Sequence, residues 1–527
     1  DCLLSRGLGD VYKRQEYHKN LSIEETSSCG IKFERRSKCW GDFTESNLTG
    51  VIYLDSCRSG DLPNPESDQT KDQFESEKGA KHSGSSISAF DFLGNGGTDL
   101  IVGDVGANNL TALYNADTFP PHTNSHVYLK DTAYPSYNVP INLPYFPVAY
   151  FIDINNDNIK DMLVTTNSNE FGSYTKTKNN ILFYKNNDSI RSDFNLQADT
   201  SLFYKDMIDL GKGANPCFFD YNKDGLLDML IGNEGYLNAS QNRIEGQLAL
   251  FKNIGTSTNP AFELIDDNYL NLPQFPLNLQ TNSPTTQIKP TTGDLDNDGD
   301  MDLIIGDAQG FMHYFIDTSS SLQPAGFKLH SAAFQSISAN SSAAPFLFDV
   351  DQDTLLDLVI GSNLGRLELY KNLGSKTQAI YNLSVNSILH LNGDTIRYQL
   401  NGNPNLSKLK IGQQVDVNNT ILPNNGVYQK VARVNDNANY IDLIHPFRSD
   451  ATDDEPSTNA LIDYSNKFWG KIDLANQFYD RDATPLLYYE DNVLKMLLAS
   501  RYGNLYYYDS ISTVSYTHLT LPTKRIV

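Results

Sequence analysis

One pattern of apolar and polar positions recurs along the chain: an apolar approach, a short loop rich in Asp and Asn, an apolar run that usually ends in Gly, and a run rich in aromatic residues. Its clearest copy is TGDLDNDGDMDLIIGD at 292–307. Short apolar runs separated by turn residues are typical of β-strands, so each copy predicts several strands of one sheet. The other copies, of which the last has lost its acids, lie at 89–104, 150–166, 218–233, 347–362 and 486–500.

The spacing of the copies predicts the architecture. Successive acidic loops begin 55 to 74 residues apart, at Asp91, Asp153, Asp220, Asp294 and Asp349. That length suits one four-stranded sheet, which cannot bury both of its faces alone. About six to eight such sheets arranged radially close into a β-propeller and hide nearly every sheet edge. We therefore predict an all-β fold, a β-propeller of six or seven four-stranded blades with a small inserted β domain.

The inserted domain is predicted from a break in this spacing. The last copy begins too far after Asp349, by roughly one small domain. The segment 384–462 has its own apolar alternation and turn residues such as Pro423 and Gly426, and we interpret it as a small β barrel or sandwich grafted on a blade loop. The other predicted domains are a Cys-containing cap or degenerate blade at 16–80, propeller blades with acidic loops at 81–383, and the last blade at 463–513.

The two ends of the sequence do not fit the pattern. Residues 1–15 and 514–527 resemble translated sequencing-adapter read-through, and we expect both to be non-native. A signal peptide or a C-terminal sorting segment would then have been lost with the natural ends. Three of the five cysteines, Cys29, Cys39 and Cys57, cluster in a polar stretch. We expect a disulfide among them in an oxidising compartment, with free thiols as the alternative and the pairing left open.

Charge and composition exclude two classes of interaction. The 527 residues include 41 Lys and Arg against 64 Asp and Glu, a formal net charge of −23. Nucleic acid is excluded as a partner because binding a polyanion needs a basic surface. The sequence has no run of about 18 apolar residues and so no transmembrane helix. Cations are the natural ligands of such an acidic chain, which we expect to be a monomer.

The acidic loops have the chemistry of a calcium site. In the Asp294 loop, oxygen-bearing side chains stand at positions 1, 3, 5 and 9, and a backbone carbonyl is expected from position 7. Neighbouring carboxylates repel each other by about 4 kcal/mol per close pair, and a bound cation removes that cost. Oxygen ligands in a flexible loop favour Ca²⁺ over Mg²⁺, which requires a tighter octahedron. About four sites are predicted, with ligands from Asp153, Asn155, Asp157, Ile159, Asp161, Asp220, Asn222, Asp224, Leu226, Asp228, Asp294, Asp296, Asp298, Asp300, Asp302, Asp349, Asp351, Asp353, Leu355 and Asp357.

Position 6 of each loop needs a residue that turns sharply. Asn158, Gly225 and Gly299 suit this position because they tolerate a positive φ. Thr354 is β-branched and resists that conformation. We therefore predict that its loop bends differently or binds more weakly.

The loop that begins at Asp91 departs further from the pattern. It has Leu93 at position 3, which leaves a weaker fifth site at Asp91, Asn95 and Asp99. An EF-hand is the obvious competitor for all these loops, but it requires a bidentate acid at position 12 and a helix on each side. Position 12 is apolar within a predicted strand in each of the four complete loops, which excludes the EF-hand: Val164, Ile231, Ile305 and Ile360.

These residues carry a family resemblance. The motif D-x-D/N-x-D-G-x-x-D, followed by a strand of the form D-L/M-L/I/V-I/V-G, resembles the FG-GAP and VCBS repeats of integrin-α-type propellers over most of 81–382 and 476–510. The resemblance implies Ca²⁺ within the blades and ligands met on other, exposed loops. The stretch 39–57, followed by the propeller, is similar to large secreted bacterial proteins, which implies a secreted or cell-surface location.

Three functions remain open from the sequence. The leading one is a recognition module of adhesion type for an extracellular protein or glycan. The second is a glycan-active hydrolase or lyase, which predicts a deep pocket with two convergent carboxylates outside the acidic loops. The third is a passive scaffold. The sequence has no nucleophile elbow, P-loop, paired zinc histidines or CxxC pair, so no catalytic residue is predicted.

Overall fold

The structure, a computed structural model, describes residues 2–4, 12–13, 16–20, 33–37, 40–46, 51–55, 85–105, 107–116, 126–144, 146–167, 177–197, 208–238, 240–319, 323–339, 341–391, 394–419, 429–445, 459–511 and 524–526. The chain divides into two compact units. The first unit comprises Asp1–Gly211 and Tyr236–Ile244, and the second comprises Lys212–Gly235 and Glu245–Val527.

Two small antiparallel sheets precede the first acidic loop. Their strands are β1 (Cys2–Leu4), β2 (Tyr12–Lys13), β3 (Glu16–Asn20), β4 (Phe33–Ser37), β5 (Phe43–Ser46) and β6 (Ile52–Leu54). The sheet orders are β1-β3-β4 and β2-β5-β6. Cys29, Cys39 and Cys57 lie outside the described residues, so a disulfide among them stays a prediction.

Two four-stranded sheets follow in the first unit. Their strands are β7 (Ser85–Phe90), β8 (Asp99–Asp104), β9 (Leu110–Asn115), β10 (Val127–Tyr134), β11 (Pro147–Ile152), β12 (Asp161–Thr166), β13 (Ile181–Asn186) and β14 (Phe194–Leu196). Each sheet is an antiparallel meander in which strands pair in chain order. The first strands, β7 and β11, contact each other.

The second unit continues the same construction. Its first strands are β15 (Asn215–Phe219) and β16 (Asp228–Gly232). The ribbon of β17 (Tyr236–Asn238) and β18 (Arg243–Glu245) comes next in the chain and, up to Ile244, belongs to the first unit. The second unit continues with β19 (Leu248–Asn253), β20 (Phe262–Asp266), β21 (Lys289–Gly293), β22 (Asp302–Gly306), β23 (Met312–Asp317), β24 (Phe327–Ser331), β25 (Ala344–Phe348), β26 (Asp357–Gly361) and β27 (Leu367–Tyr370). The sheets are β15-β16-β19-β20, β21-β22-β23-β24 and β25-β26-β27. Short 3₁₀ helices lie at Tyr269–Gln274 and Phe334–Ser336.

A closed six-stranded barrel interrupts the third of these sheets, where the sequence predicts an inserted domain. Its strands are β28 (Leu383–His390), β29 (Thr395–Leu400), β30 (Gln414–Asn418), β31 (Gln429–Asn435), β32 (Tyr440–Ile444) and β33 (Leu461–Asp463), closed in the order β28-β29-β32-β31-β30-β33. A 3₁₀ helix lies at Leu406–Lys408. The barrel has its own core, in which Ile396, Ile441 and Leu443 are fully buried.

The chain returns from the barrel to the sheet it left. Asn466 bridges to Leu369 of β27, and Asp473 bridges to Arg366, so this segment covers the outer edge of the three-stranded sheet. A 3₁₀ helix at Trp469–Lys471 and the short helix α1 (Leu474–Phe478) follow. The last sheet consists of β34 (Thr484–Glu490), β35 (Val493–Ala499), β36 (Leu505–Tyr508) and β37 (Lys524–Ile526).

The hydrophobic core of the second unit lies between successive sheets. In three of its sheets the second strand, such as the DLIIG run of β22, is buried along its whole length. Leu250 of one sheet packs with Leu303 and Phe315 of the next, and Ile304 packs in turn with Leu358. The first strands also follow one another, because β21 contacts β15 and β25, and β25 contacts β34. Blades of a propeller pack in this way.

The glycine that ends the second strands β16, β22 and β26 is required by this packing. A Cβ built on Gly306 would lie 2.2 Å from the carbonyl oxygen of Ala343, which precedes the first strand of the next sheet. At Gly361 it would lie 2.0 Å from the carbonyl oxygen of Ala483. The close backbone approach between neighbouring sheets therefore explains why the repeated apolar run ends in Gly.

The predicted fold class is confirmed: the chain is all-β and is built from antiparallel sheets of the propeller-blade type with a small inserted barrel. Six blade-type sheets lie within the described ranges. In those same ranges the structure has no helix that is long and apolar enough to cross a membrane.

Candidate metal centres

Every acidic loop joins the first strand of a sheet to the second. In the Asp294 loop, β21 ends at Gly293 and β22 begins at Asp302, so position 1 directly follows one strand and position 9 starts the next. The loops that begin at Asp91, Asp153, Asp220 and Asp349 have the same placement. The strand pairing therefore fixes both ends of each loop and gives equivalent places to equivalent side chains.

The carboxylate at position 9 is buried in all five loops. One oxygen of Asp228 accepts the amide N–H of Asn253 at 2.7 Å, and the other accepts that of Tyr221 at 2.9 Å. In the Asp349 loop, Asp357 accepts the amides of Asn372 and Val350 at 2.8 and 3.2 Å. Position 9 thus ties the loop to the end of the third strand.

Burial raises the pKa of the position-9 carboxyls Asp99, Asp302 and Asp357. Desolvation raises the pKa of Asp99 and of Asp302 to about 6, although backbone hydrogen bonds act in the opposite direction. Desolvation likewise raises the pKa of Asp357 to about 7. Since a nearby divalent cation favours the ionised carboxylate, binding of a cation at these positions would be coupled to proton release.

The buried Asn that ends the third strand, whose backbone amide donates to the position-9 carboxylate, was not predicted as part of the site. Asn253, which ends β19, donates its side-chain amide to the carbonyl oxygen of Leu227 at 3.2 Å and accepts the amides of Gly255 and Ala261 at 2.9 and 3.2 Å. Asn186 makes the equivalent bonds in its own sheet. One buried Asn therefore joins the acidic loop, the third strand and the next turn. Its signal in the sequence is the Asn that ends aromatic runs such as LALFKN.

All four complete loops turn sharply at position 6, including the one with Thr354. Gly225 and Thr354 both have a positive φ, of 86° and 72°. Their amides donate to the position-1 carboxylates of Asp220 and Asp349, at 2.8 Å in each case. The prediction that Thr354 bends its loop differently is therefore wrong, and the alternative, weaker binding by this loop, stays a prediction. The hydrogen bonds around the loop hold even a β-branched residue in this conformation.

The Asp294 loop brings three carboxylates together. One oxygen of each of Asp294, Asp296 and Asp298 lies within 4.8 Å of the other two. Asp294 Oδ1 is buried and has no hydrogen-bond partner among the described residues. Lys223 neutralises a different acid, because its Nζ lies 2.8 Å from Oδ1 of Asp300 at position 7. A buried carboxylate oxygen without a partner is costly, and a cation at the three acids would remove that cost.

The Asp349 loop gathers its carboxylates in the same way but also contacts two lysines. One oxygen of each of Asp349, Asp351 and Asp353 lies within 4.8 Å of the others. Lys371 Nζ lies 2.5 Å from Asp351 Oδ2, and Lys408 Nζ contacts Asp353 Oδ2. Asp351 Oδ1 is buried and has no hydrogen-bond partner in the described part of the chain.

The two remaining complete loops have an amide oxygen at position 3. Asn155 Oδ1 accepts the amide of Asp157 at 2.9 Å, and Asn222 Oδ1 accepts that of Asp224 at 3.1 Å. In all four complete loops the amide at position 7 donates to the position-5 carboxylate at 2.9 to 3.0 Å. The backbone therefore holds the position-5 carboxylate in the same way in each complete loop.

The Asp91 loop is closed by its own hydrogen bonds. The carboxylate of Asp91 accepts the amides of Gly94, Asn95 and Gly96 at 2.7, 3.2 and 2.8 Å. Leu93 supplies no side-chain oxygen at position 3. This loop has fewer oxygen donors than the others, and the weaker fifth site there stays a prediction.

The exclusion of the EF-hand is confirmed. Position 12 of each complete loop lies in the second strand of its sheet, where an EF-hand would carry a bidentate acid. The four residues are Val164 in β12, Ile231 in β16, Ile305 in β22 and Ile360 in β26.

A cavity of about 370 Å³ lies beside the Asp349 loop. Its lining includes Asp351, Gln352, Tyr489 and Asn492. Asp351 is the one carboxylate among the lining residues, so this cavity does not have the two convergent acids expected of a glycan-cleaving site.

Comparisons with known proteins give little guidance. No family model matches the chain, and no curated protein matches it. Among solved structures, the chain is similar to a glycoside hydrolase family 43 arabinoxylan arabinofuranohydrolase from Bacillus subtilis, crystallised in complex with cellotetraose. The identity is 8% and the TM-score 0.17, over 88% of this chain and 94% of that one. These values leave the function to be inferred from the chain's own residues.

Proposed function

We propose that the chain is a calcium-stabilised β-propeller of the FG-GAP and VCBS type that acts outside the cell as a recognition module for a protein or a glycan. The Asp294 loop carries this proposal. It gathers Asp294, Asp296 and Asp298 within 4.8 Å and leaves the buried Asp294 Oδ1 without a hydrogen-bond partner in the described ranges. A cation supported by these three acids would satisfy that oxygen.

The donor set favours calcium. All the side-chain ligands proposed in the complete loops are carboxylate or amide oxygens, which are the ligands of Ca²⁺ and Mg²⁺ rather than of zinc or copper. The loops offer oxygens at positions 1, 3, 5 and 9 and a carbonyl at position 7, a number that suits the larger ion. Calcium is abundant outside cells, so a module with weak sites would be loaded there.

A calcium titration tests the metal part of the proposal. Asp298→Asn removes one charge from the Asp294 loop and should lose about one equivalent of bound Ca²⁺ in isothermal titration calorimetry, because it weakens one site. Glu263→Gln is the matched control, since Glu263 is exposed on β20 and also loses one charge. An unchanged stoichiometry in Asp298→Asn, or an equal loss in the control, would contradict the assignment.

A surface of the second unit has the composition of a ligand site. We name Tyr479, Arg481, Arg501 and Tyr502 the Tyr–Arg surface; the two tyrosines are 88% and 66% exposed. The amide of Arg501 donates to the carbonyl oxygen of Arg481 at 2.9 Å. Asp480 accepts hydrogen bonds from the turn between β35 and β36 and fixes the two segments together. Exposed Tyr and Arg are typical of interfaces.

The chemistry of the Tyr–Arg surface favours an anionic glycan. Tyrosine rings can stack on sugar rings, and Arg side chains bind carboxylates and sulfates with two parallel hydrogen bonds. Arg481 and Arg501 are both exposed, and Arg501 Nη1 lies 3.6 Å from Asp482 Oδ2, so Arg481 and Arg501 together keep a net positive charge beside that acid on a chain of net charge −23. The glycan-active hydrolase and the passive scaffold remain alternatives, and the cavity beside Asp351 supplies only one of the two acids that a hydrolase needs.

Binding to an array of neutral and acidic glycans tests the recognition part. The double variant Tyr479→Ala with Tyr502→Ala should lose binding to acidic glycans by about tenfold, because two lost stacks of about 0.5–1.5 kcal/mol each together remove about 1–3 kcal/mol. Tyr150→Ala is the control, since Tyr150 is 53% exposed on another sheet. No binding by the wild type, or equal loss in the control, would contradict a glycan site at this surface.

A further inference from the structure

The Asp349 loop differs from the other acidic loops in the cations that reach it. Lys371 directly follows β27, and its Nζ lies 2.5 Å from Asp351 Oδ2. Lys408 contacts Asp353 Oδ2 and also donates to the carbonyl oxygen of Asn372 at 2.6 Å. Positions 3 and 5 of this loop therefore each have an ammonium group at contact distance.

The corresponding lysines of the other loops stay further away. Lys185 and Lys252 occupy the place of Lys371 in their own sheets, and each Nζ lies 3.9 Å from the position-5 carboxylate. That distance is too long for a hydrogen bond. In the sheet of the Asp294 loop the same place holds Ile316, so the strand supplies no cation there.

The second ammonium group of the Asp349 loop belongs to the barrel. Lys408 ends the 3₁₀ helix Leu406–Lys408, whose first residue is fully buried in the barrel core. The amide of Asn405 donates to the carbonyl oxygen of Leu373 at 2.6 Å, which holds this helix against the sheet. The Lys408 side chain is only 16% exposed. The position of its ammonium group is therefore set by how the barrel docks.

We propose that the ammonium groups of Lys371 and Lys408 take the place of the divalent cation in the Asp349 loop, so that the inserted barrel silences one of the four complete loops. The inference rests on the proposed calcium binding of the Asp294 loop, which serves as its reference. Both loops gather three acids and leave one buried carboxylate oxygen without a partner among the described residues. In the Asp349 loop ammonium groups contact two of the three gathered acids, whereas Lys223 contacts Asp300, which is outside the three gathered acids of the Asp294 loop. A calcium ion could enter there only by displacing two ammonium groups.

Removal of the two lysines is the direct test. The double variant Lys371→Gln with Lys408→Gln should bind about one more equivalent of Ca²⁺ than the wild type in equilibrium dialysis, or bind it at least about tenfold more tightly at one site. Adding Asp351→Asn to the double variant should abolish the gain, which assigns the new site to the Asp349 loop. Lys408→Arg keeps the charge and should not create the site by itself.

Lys410→Gln is the matched control, because Lys410 is exposed on the same barrel two residues from Lys408. A gain in this control equal to that of the double variant would show a general effect of charge and overturn the inference. No gain in a double variant that folds, judged by an unchanged near-ultraviolet circular dichroism spectrum, would also overturn it. If Asp298→Asn loses an equivalent while the double variant gains none, only this inference fails. If no variant and no wild-type protein binds calcium, the proposed function fails with it.

Discussion

Substitution of two acids of the Asp220 loop, Asp228 and Asp224, should lower the free energy of unfolding by different amounts when no metal is present. Asp228→Ala removes a buried carboxylate that accepts the amides of Asn253 and Tyr221 at 2.7 and 2.9 Å. Each buried amide left without an acceptor costs about 1–3 kcal/mol, so the free energy of unfolding in chelator should fall by about 2–6 kcal/mol. Asp224 is exposed, and Asp224→Ala should cost less than about 1 kcal/mol under the same conditions.

Urea unfolding followed by tryptophan fluorescence measures this difference. The chain has two tryptophans, and Trp469 is buried in the second unit together with the Asp220 loop. A Trp40→Phe background therefore restricts the signal to that unit. In saturating calcium, both variants should lose the stabilisation that the metal adds, which is about 2.7 kcal/mol per site at a hundredfold excess over Kd.

The stabilities of the two variants in chelator test whether position 9 has a structural role of its own. Equal losses of stability for Asp228→Ala and Asp224→Ala would mean that position 9 has no structural role apart from metal binding. A wild-type stability for Asp228→Ala would mean that its two backbone hydrogen bonds contribute nothing. Either result would refute the reasoning that the buried acid Asp228 stabilises the fold without metal whereas the exposed acid Asp224 acts through the metal.

Two further substitutions probe the framework of the second unit. Gly306→Ala should destabilise it by about 1–3 kcal/mol in urea unfolding, because its Cβ would overlap the carbonyl oxygen of Ala343; Gly326→Ala, whose Cβ would meet nothing nearer than 3.7 Å, should cost less. Burial opposes ionisation of Asp480, but hydrogen bonds outweigh it and lower its pKa. Ionised Asp480 therefore contributes its full stabilisation to the folded state above its pKa in the unfolded chain, which is about 4. This stabilisation is lost as the pH falls through its lower pKa in the folded protein. The stability difference between wild type and Asp480→Asn should accordingly shrink between pH 7 and pH 3.

The repeat predicted the blade-type sheets because its signals are local. The DLIIG run of β22 is buried from end to end, so the residues after Asp302 are apolar or small, and the acids that precede the run mark a turn. The insert was found from a break in the same spacing, and the barrel runs from Leu383 to Asp463. The return of Asn466 to β27 was not predicted, because a single isolated bridge leaves no pattern of alternation in the sequence.

The site was predicted less completely than the fold. Its acids stand at fixed spacing within nine residues, which the sequence displays directly. The contact of Lys408 with Asp353 depends on how two separately folded parts of the chain dock, and no local pattern encodes it. Thr354 was misjudged because its intrinsic preference is weaker than the hydrogen bonds that surround it.

The two ends of the barrel lie close together, which explains how a domain can be inserted in this sheet. Leu383 of β28 pairs with Ile462 of β33, so the barrel begins and ends at neighbouring points. Leu369 and Asn466 are far apart in the sequence, but once the barrel has folded the chain between them behaves as a short loop. The conformational entropy lost when Leu369 pairs with Asn466 is therefore small. The sheet can thus accept an inserted domain at this point without losing its edge pairing, provided that the two ends of the domain are adjacent. One inserted domain could therefore be replaced by another here during evolution.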